Sequence, residues 1–178
     1  MGERIIIENF IFKDHQTLLT QYFEKNRHLC SDEQNHHRHR NLHYGDMTSE
    51  TVKYILKHYL TKTCFFIEHY FKEHVAPFNA PRICCYYPGE SLDKHVDKKD
   101  GFWNITYDMK YSSILYLNDN YEGGEIQFTG DQPIKMKAGS CIFFLSDATN
   151  EHQVLKVKKG NRYSVPSWYT TKIGFLKL

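Results

Sequence analysis

His95 and Asp97 stand two apart at the end of a stretch that opens Tyr86-Tyr87-Pro88-Gly89. In extended backbone the side chains at i and i+2 point to the same side, so this imidazole and carboxylate can reach one metal ion together. With 11 histidines in the chain an isolated H-x-D carries little weight. It gains weight from His152, about 55 residues downstream in a β-rich run, which can complete a set of two imidazoles and one carboxylate. On one face of an octahedral ion such a set leaves three adjacent positions open. A 2-oxo acid can chelate two of them and leave the third for O2. The far carboxylate of that acid then needs a cation, and Arg162 offers a bidentate fork. Ser164, two residues on, points the same way. A tyrosine hydroxyl near the start of the motif can add one hydrogen bond. His152, placed at an open pocket, is expected to carry little core packing.

Two kinds of chain must position these residues. Up to Pro81 the pattern is mainly helical. Arg4 to Phe12 reads as a short strand. Asp14 can cap a helix running to Lys25 with Leu18, Leu19, Tyr22 and Phe23 in one stripe. Asn26 to Gly45 holds His28, His36, His37, His39 and His43 among Arg38, Arg40, Asn35 and Asn41, with neither alternation nor a stripe. It is expected to be a solvated loop and not a metal site, because ligands need fixed geometry. From Ser49 to His74 the spacing is helical again, with a kink or break expected at Thr61-Lys62-Thr63. Beyond Pro81, short runs of β-formers alternate with turn residues: Arg82–Tyr87, Ser112–Leu117, Glu125–Phe128, Ile134–Lys137, Cys141–Leu145, His152–Lys156 and Tyr163–Thr171. The fold class expected is mostly β with N-terminal helices (α+β), a double-stranded β-helix or jelly roll backed by helices. One domain, 1–178, suffices, with 1–80 as helical buttress and 81–178 as the jelly-roll core.

At 178 residues the chain can bury a core without staples. A net charge of +2 and a pI near 8.2 specify no partner. The basic clusters, Lys156-Val-Lys158-Lys159 and Lys94 with Lys98-Lys99, read as solvated strand ends, so no nucleic-acid partner is expected. Five cysteines without C-x-x-C spacing read as reduced thiols used in packing. No apolar run approaches membrane-spanning length, no signal peptide opens the chain, and Ile6 stands where myristoylation needs Ser or Thr. A soluble intracellular, cytoplasmic protein is expected. The Lys98–Tyr111 connection is long for a strand loop, and its Trp103 and Tyr107 are expected either to contact substrate or to form a packed satellite cluster.

Taken in order, several segments resemble the Fe(II)/2-oxoglutarate-dependent dioxygenases, in particular the prolyl-4-hydroxylase-like branch. They are Tyr86-x-x-Gly89 before His95-x-Asp97; Tyr116-Leu117-Asn118-Asp119 leading to Gly123-Gly124-Glu125-Ile126-x-Phe128; Lys137-x-Gly139 with Phe143-Phe144; and Gly160-x-Arg162-Tyr163-Ser164 with Trp168. The resemblance covers about half the chain, from Pro81 to Tyr169. It implies that His95, Asp97 and His152 ligate iron, that Arg162 binds the distal carboxylate of 2-oxoglutarate and that Ser164 is its hydroxyl companion. Tyr86 sits where many members place a cosubstrate tyrosine. In some relatives the tyrosine directly precedes Pro-Gly, which favours Tyr87; alternation lets only one of the two face the pocket, and Tyr86 is preferred. The cofactors implied are Fe(II), 2-oxoglutarate and O2, with ascorbate as a further candidate. The reaction implied is C–H hydroxylation, with a peptide or protein as the preferred substrate. The alternatives are a free amino acid or other small molecule, or a non-catalytic jelly-roll module that binds metal.

Overall fold

The computed structural model describes residues 2–32, 39–98 and 109–172. In chain order the elements are β1 (Arg4–Ile7), α1 (Lys13–Lys25), β2 (Ser31–Asp32), β3 (Arg40–His43), α2 (Glu50–Phe71), β4 (Ala76–Pro77), β5 (Arg82–Tyr86), β6 (Leu92–His95), β7 (Met109–Tyr116), β8 (Glu122–Gly123), β9 (Ile126–Phe128), β10 (Cys141–Leu145), β11 (His152–Val154), β12 (Val157–Lys159) and β13 (Arg162–Thr170). The larger sheet runs β1-β10-β7-β13-β5-β3-β2, with β4 also paired to β13. A smaller sheet runs β6-β11-β9, and β12 pairs with β8. Every pairing is antiparallel.

Strand alternation buries the larger sheet on both faces. Tyr111 and Leu115 of β7, Cys141 and Phe143 of β10, Ile83 and Cys85 of β5, and Tyr163, Val165 and Tyr169 of β13 join one core with Leu19 and Phe23 of α1 and Val52, Ile55, Leu56, Tyr59 and Ile67 of α2. The intervening residues face the other way. Ile114 and Tyr116 with Ile142 and Phe144 meet Ile126 and Phe128 of the smaller sheet, while Cys84 and Tyr86 meet Val154 and Val157. Burying each large apolar side chain stabilises by about 1.5–3 kcal/mol, so these faces hold the helices more than helix propensity does.

Several local expectations are corrected. Helix α2 runs without a break through Thr61–Thr63: Thr63 is buried and its hydroxyl donates to the Tyr59 carbonyl one turn back, so its polar group is satisfied inside the helix. The helix starts at Ser49, whose Oγ accepts from the Val52 amide, and ends at Lys72 in the left-handed region at φ 57°. Asp14 lies inside the first turn of α1 and does not cap it; the entering Phe12 amide donates instead to the Tyr59 hydroxyl of α2. The N-terminal strand is shorter than expected: after β1, Phe10 and Ile11 turn into the core and both their amides donate to the Gly139 carbonyl. Ile134–Lys137 forms only a single bridge, Ile134 to Ile126. The His152–Lys156 run stops at Val154, and β12 starts at Val157.

The largest correction concerns Asn26 to Gly45. Its described part includes a 3-10 turn, Arg27–Leu29, and strands β2 and β3, of which β3 lies between β5 and β2 in the larger sheet. Its polar letters hid this. Asn41 is buried and its Oδ1 accepts from the Cys84 thiol, while Leu42 enters the core. His39, far from solvated, is 4% exposed and stacks on Tyr86 at 4.6 Å. His36 and His37 lie outside the described residues, as do Trp103 and Tyr107.

Candidate metal and cosubstrate site

Two antiparallel strands of the smaller sheet bring the histidines face to face. His95, the last residue of β6, pairs directly with His152, the first of β11, and their rings lie 4.4 Å apart. Asp97 falls just beyond the end of β6, yet still returns its carboxylate to the same place. Its Oδ1 is 3.5 Å from His95 Nε2 and its Oδ2 is 4.0 Å from His152 Nε2. One ligand atom from each of the three residues lies within 4.8 Å of the others.

Both rings are fixed in one tautomer. His95 Nδ1 is 2.8 Å from the Asp93 carbonyl and His152 Nδ1 is 2.9 Å from the Asn150 carbonyl. A carbonyl oxygen only accepts, so each Nδ1 carries the proton and each Nε2 turns a lone pair towards the shared space. Electrostatics agree with this ligand-ready state. Burial lowers the pKa of His152 despite the Asp97 charge, which keeps that ring neutral. Burial opposes the Asp97 charge, but the facing His95 and His152 rings and the nearby Ser112 hydroxyl outweigh it and hold the carboxyl at about 2. The donor set therefore fits a divalent ion of the ferrous kind: two imidazoles and one ionised carboxylate. His152 is more deeply packed than expected. It is 3% exposed, between the rings of Phe128 and Phe144 at 5.5 and 5.2 Å.

Strand β13 supplies the second half. Arg162 pairs with Tyr86 across β5, and Ser164 with Tyr116 across β7. The guanidinium is 1% exposed. Its Nη1 donates to Ser164 Oγ and its Nη2 to the Tyr116 hydroxyl, both at 3.1 Å. Its Cζ lies 5.0 Å from the Tyr86 ring centre and 4.8 Å from that of Tyr116. Among the described residues no carboxylate pairs with it, and its Nε and the hydroxyl of neighbouring Tyr121 have no well-formed hydrogen bond. Burial works against the charge, while the Tyr116, Tyr121 and Tyr86 oxygens around it favour it, so the guanidinium stays charged. A buried cation without a counter-ion is costly unless an anion is brought to it. An anionic ligand with a short carboxylate fits this cradle.

Both halves face the same space. Ser112, beside Asp97, and Tyr116, bonded to Arg162, lie on one face of β7 four residues apart. That separation is about 13 Å along the strand, with Ile114 between them on the same face. Tyr86 points into this space and its neighbour Tyr87 does not: Tyr87 packs on the helix-side core, with Arg27 and Arg40 over its ring. Sequence reasoning assigned no role to Tyr116, Tyr121 or His39. Tyr116 stood inside a motif already singled out, but its pairing with β13 is tertiary. Nothing local marked His39.

The chain matches the family model described as 2OG-Fe(II) oxygenase superfamily over residues 81–170. It is 44% identical over 66 residues to human Prolyl 3-hydroxylase 2, a match covering 34% of this chain and 9% of that one. It is 31% identical over 97 residues to a PKHD-type hydroxylase of Synechococcus, covering 51% and 42%. The chain thus spans less than half the length of these curated relatives. Among solved structures, the viral collagen prolyl hydroxylase of Paramecium Bursaria Chlorella virus-1, in its 2OG complex, superposes with a TM-score of 0.74 at 20% identity, covering 93% of this chain and 94% of that one. The prolyl hydroxylase of Trichoplax adhaerens, solved with a hypoxia inducible factor peptide fragment, gives 0.72 at 20% identity, covering 97% and 86%. At these identities the structures carry the fold alone. The sequence match extends over half of the chain, and on that ground it belongs to the 2OG-Fe(II) oxygenase superfamily.

Proposed function

We propose that this chain hydroxylates a C–H bond of a peptide or protein, with prolyl side chains as the preferred target. The observation that carries this reading is a buried Arg162, with no carboxylate partner among the described residues, on the same face as the converged Nε2, Nε2 and carboxylate atoms. His95, Asp97 and His152 would hold Fe(II). Arg162, Ser164 and Tyr86 would hold 2-oxoglutarate by its distal carboxylate, and Tyr116 joins them by geometry. When bound, iron and the 2-oxo acid supply O2-dependent oxidation coupled to decarboxylation to succinate. The chain's own residues do the rest. The fixed Nδ1–H tautomers aim both imidazoles, Asp97 keeps its charge at the site, and Phe128 and Phe144 wall off His152 from water. We further infer that the two sheets are the faces of a jelly roll, with α1 and α2 backing the larger one. Proline as the target rests on the printed names of the relatives, human Prolyl 3-hydroxylase 2 among them. The test is incubation with Fe(II), 2-oxoglutarate and a proline-containing peptide array, read by succinate formation and by a peptide mass gain of one oxygen. Bound iron without turnover on any peptide would move the assignment to a non-catalytic metal-binding module.

A further inference from the structure

Arg4 opens the edge strand β1, far in sequence from the metal-site histidines, yet its side chain ends beside His152. Strand β1 pairs with β10 in the register Arg4 to Phe144. From there the Arg4 side chain, 12% exposed, makes three contacts. Its Nε donates to Asn150 Oδ1 at 2.8 Å, its Nη1 pairs with Asp131, and its Cζ lies 3.9 Å over the centre of the Phe128 ring. Two of those three partners are what holds His152. The Asn150 carbonyl accepts the His152 Nδ1 proton at 2.9 Å, and Phe128 is paired with His152 in the sheet.

Asn150 closes the 3-10 turn Ala148–Asn150, which sets the direction of that carbonyl. Its side chain is pinned at both ends: Oδ1 by Arg4 from another strand, and Nδ2 by donation to the Leu145 carbonyl at 3.1 Å. The N-terminal segment also lies against it, for a Cβ on Gly2 would fall 2.4 Å from Asn150 Nδ2. Acceptors behind a ligand imidazole select its tautomer and aim its free nitrogen, and losing such a partner typically costs 10–100-fold in metal affinity.

We propose that Arg4 is a positioning residue for the metal site: through Asn150 and Phe128 it fixes the tautomer and orientation of His152. The inference rests on reading His95, Asp97 and His152 as the ligand set. It requires no contact between Arg4 and metal or cosubstrate. The Asp131 pair serves a different end, holding the arginine in place, and its loss leaves the Asn150 bond available.

The test uses the whole chain labelled with 15N-histidine. Long-range proton–nitrogen spectra of the metal-free protein should show His152 as a single Nδ1–H tautomer, and Arg4→Met should turn it into a mixture. In parallel, the Mn(II) dissociation constant should rise about 10–100-fold in Arg4→Met, while Asp131→Asn stays within about twofold of the parent, as expected if only a partly exposed ion pair is lost. If Arg4→Met does not yield folded protein, Arg4→Lys is read in the same way, since lysine keeps the charge for Asp131 but lacks the planar Nε that reaches Asn150 from above Phe128. A parental tautomer and parental Mn(II) affinity in the Arg4 variant would overturn the proposal. So would an Asp131→Asn loss equal to that of Arg4→Met, because the effect would then be one of general stability. Failure of the parent protein to bind any divalent ion would instead sink the metal-site reading, while the metal-free spectra still decide the role of Arg4.

Discussion

Replacing Arg162 by methionine separates a cation kept for a ligand from one kept for the fold. In the ligand-free protein the substitution removes a buried charge that has no carboxylate partner among the described residues. That desolvation penalty amounts to several kcal/mol. Against it, the Ser164 and Tyr116 hydroxyls each lose a partner, at about 1 kcal/mol apiece. The balance predicts a melting temperature for ligand-free Arg162→Met equal to or above that of the parent. The ligand-bound comparison runs the other way. Two charge-assisted hydrogen bonds to a carboxylate are worth about 3–6 kcal/mol, or roughly 10²–10⁴ in affinity. With Mn(II) saturating and 2-oxoglutarate at about 100 times its dissociation constant, the parent gains about 2.7 kcal/mol. For a chain of this length that is a rise of about 5–11 °C, and in Arg162→Met the rise should vanish. Differential scanning fluorimetry with and without 2-oxoglutarate reads both effects. A sharp fall in the ligand-free melting temperature, together with a surviving 2-oxoglutarate shift, would show that Arg162 is a structural cation and refute the reasoning.

His152→Ala should weaken Mn(II) binding by more than the ~10–100-fold typical of an outer partner, measured by titration. It should also lower stability by about 1–3 kcal/mol in urea melts, because the ring fills the space between Phe128 and Phe144. Tyr86→Phe should raise the 2-oxoglutarate dissociation constant about 10–150-fold, the worth of one hydrogen bond to a charged carboxylate, while Tyr87→Phe leaves it unchanged. Equal effects would remove the distinction between the two faces of β5. Burial pushes the thiols of Cys64, Cys85 and Cys141 up to about 12, and Cys84 is also buried. A colorimetric thiol reagent should therefore find about one reactive cysteine, Cys30, in native protein at pH 8 and all five after unfolding. Because the folded state keeps protons that the unfolded chain releases above the ordinary thiol value of 9.0, stability should fall as pH rises from about 9 towards 12. Thermal melts at pH 8 and 10 check the sign.

The strands around the site were legible because burial on both faces writes short apolar runs of β-formers into a sequence. Cys141–Leu145 has the bounds read from the residues alone, since all of its side chains but the last are buried on one face or the other. Strand β3 was not legible. Arg40-Asn-Leu-His is polar by composition, and what makes it a strand is the edge of β5 it pairs with, together with the Cys84 thiol that donates to Asn41 Oδ1. The break expected at Thr61–Thr63 failed for a related reason. A buried threonine that bonds back to its own helix costs little once the neighbouring core holds that helix in place. Tyr116 could be seen inside a motif, but not as a partner of Arg162, because that contact depends on which strand lies beside which.

Residue types and spacing along the chain were enough to determine the chemistry available: two imidazoles and a carboxylate for a divalent ion, an arginine with a hydroxyl beside it, and a β-rich half to carry them. These are local or ordered features, and they survive in one dimension. Tertiary structure decided the register that sets His95 opposite His152, the face of β5 that admits Tyr86 and turns Tyr87 away, and the burial that leaves Arg162 with no carboxylate partner among the described residues. It also decided that an arginine from the first strand stands behind His152. The physical reason is common to all four. Pairing, desolvation and hydrogen-bond direction belong to groups brought together from distant parts of the chain, and no spacing within a single segment encodes them.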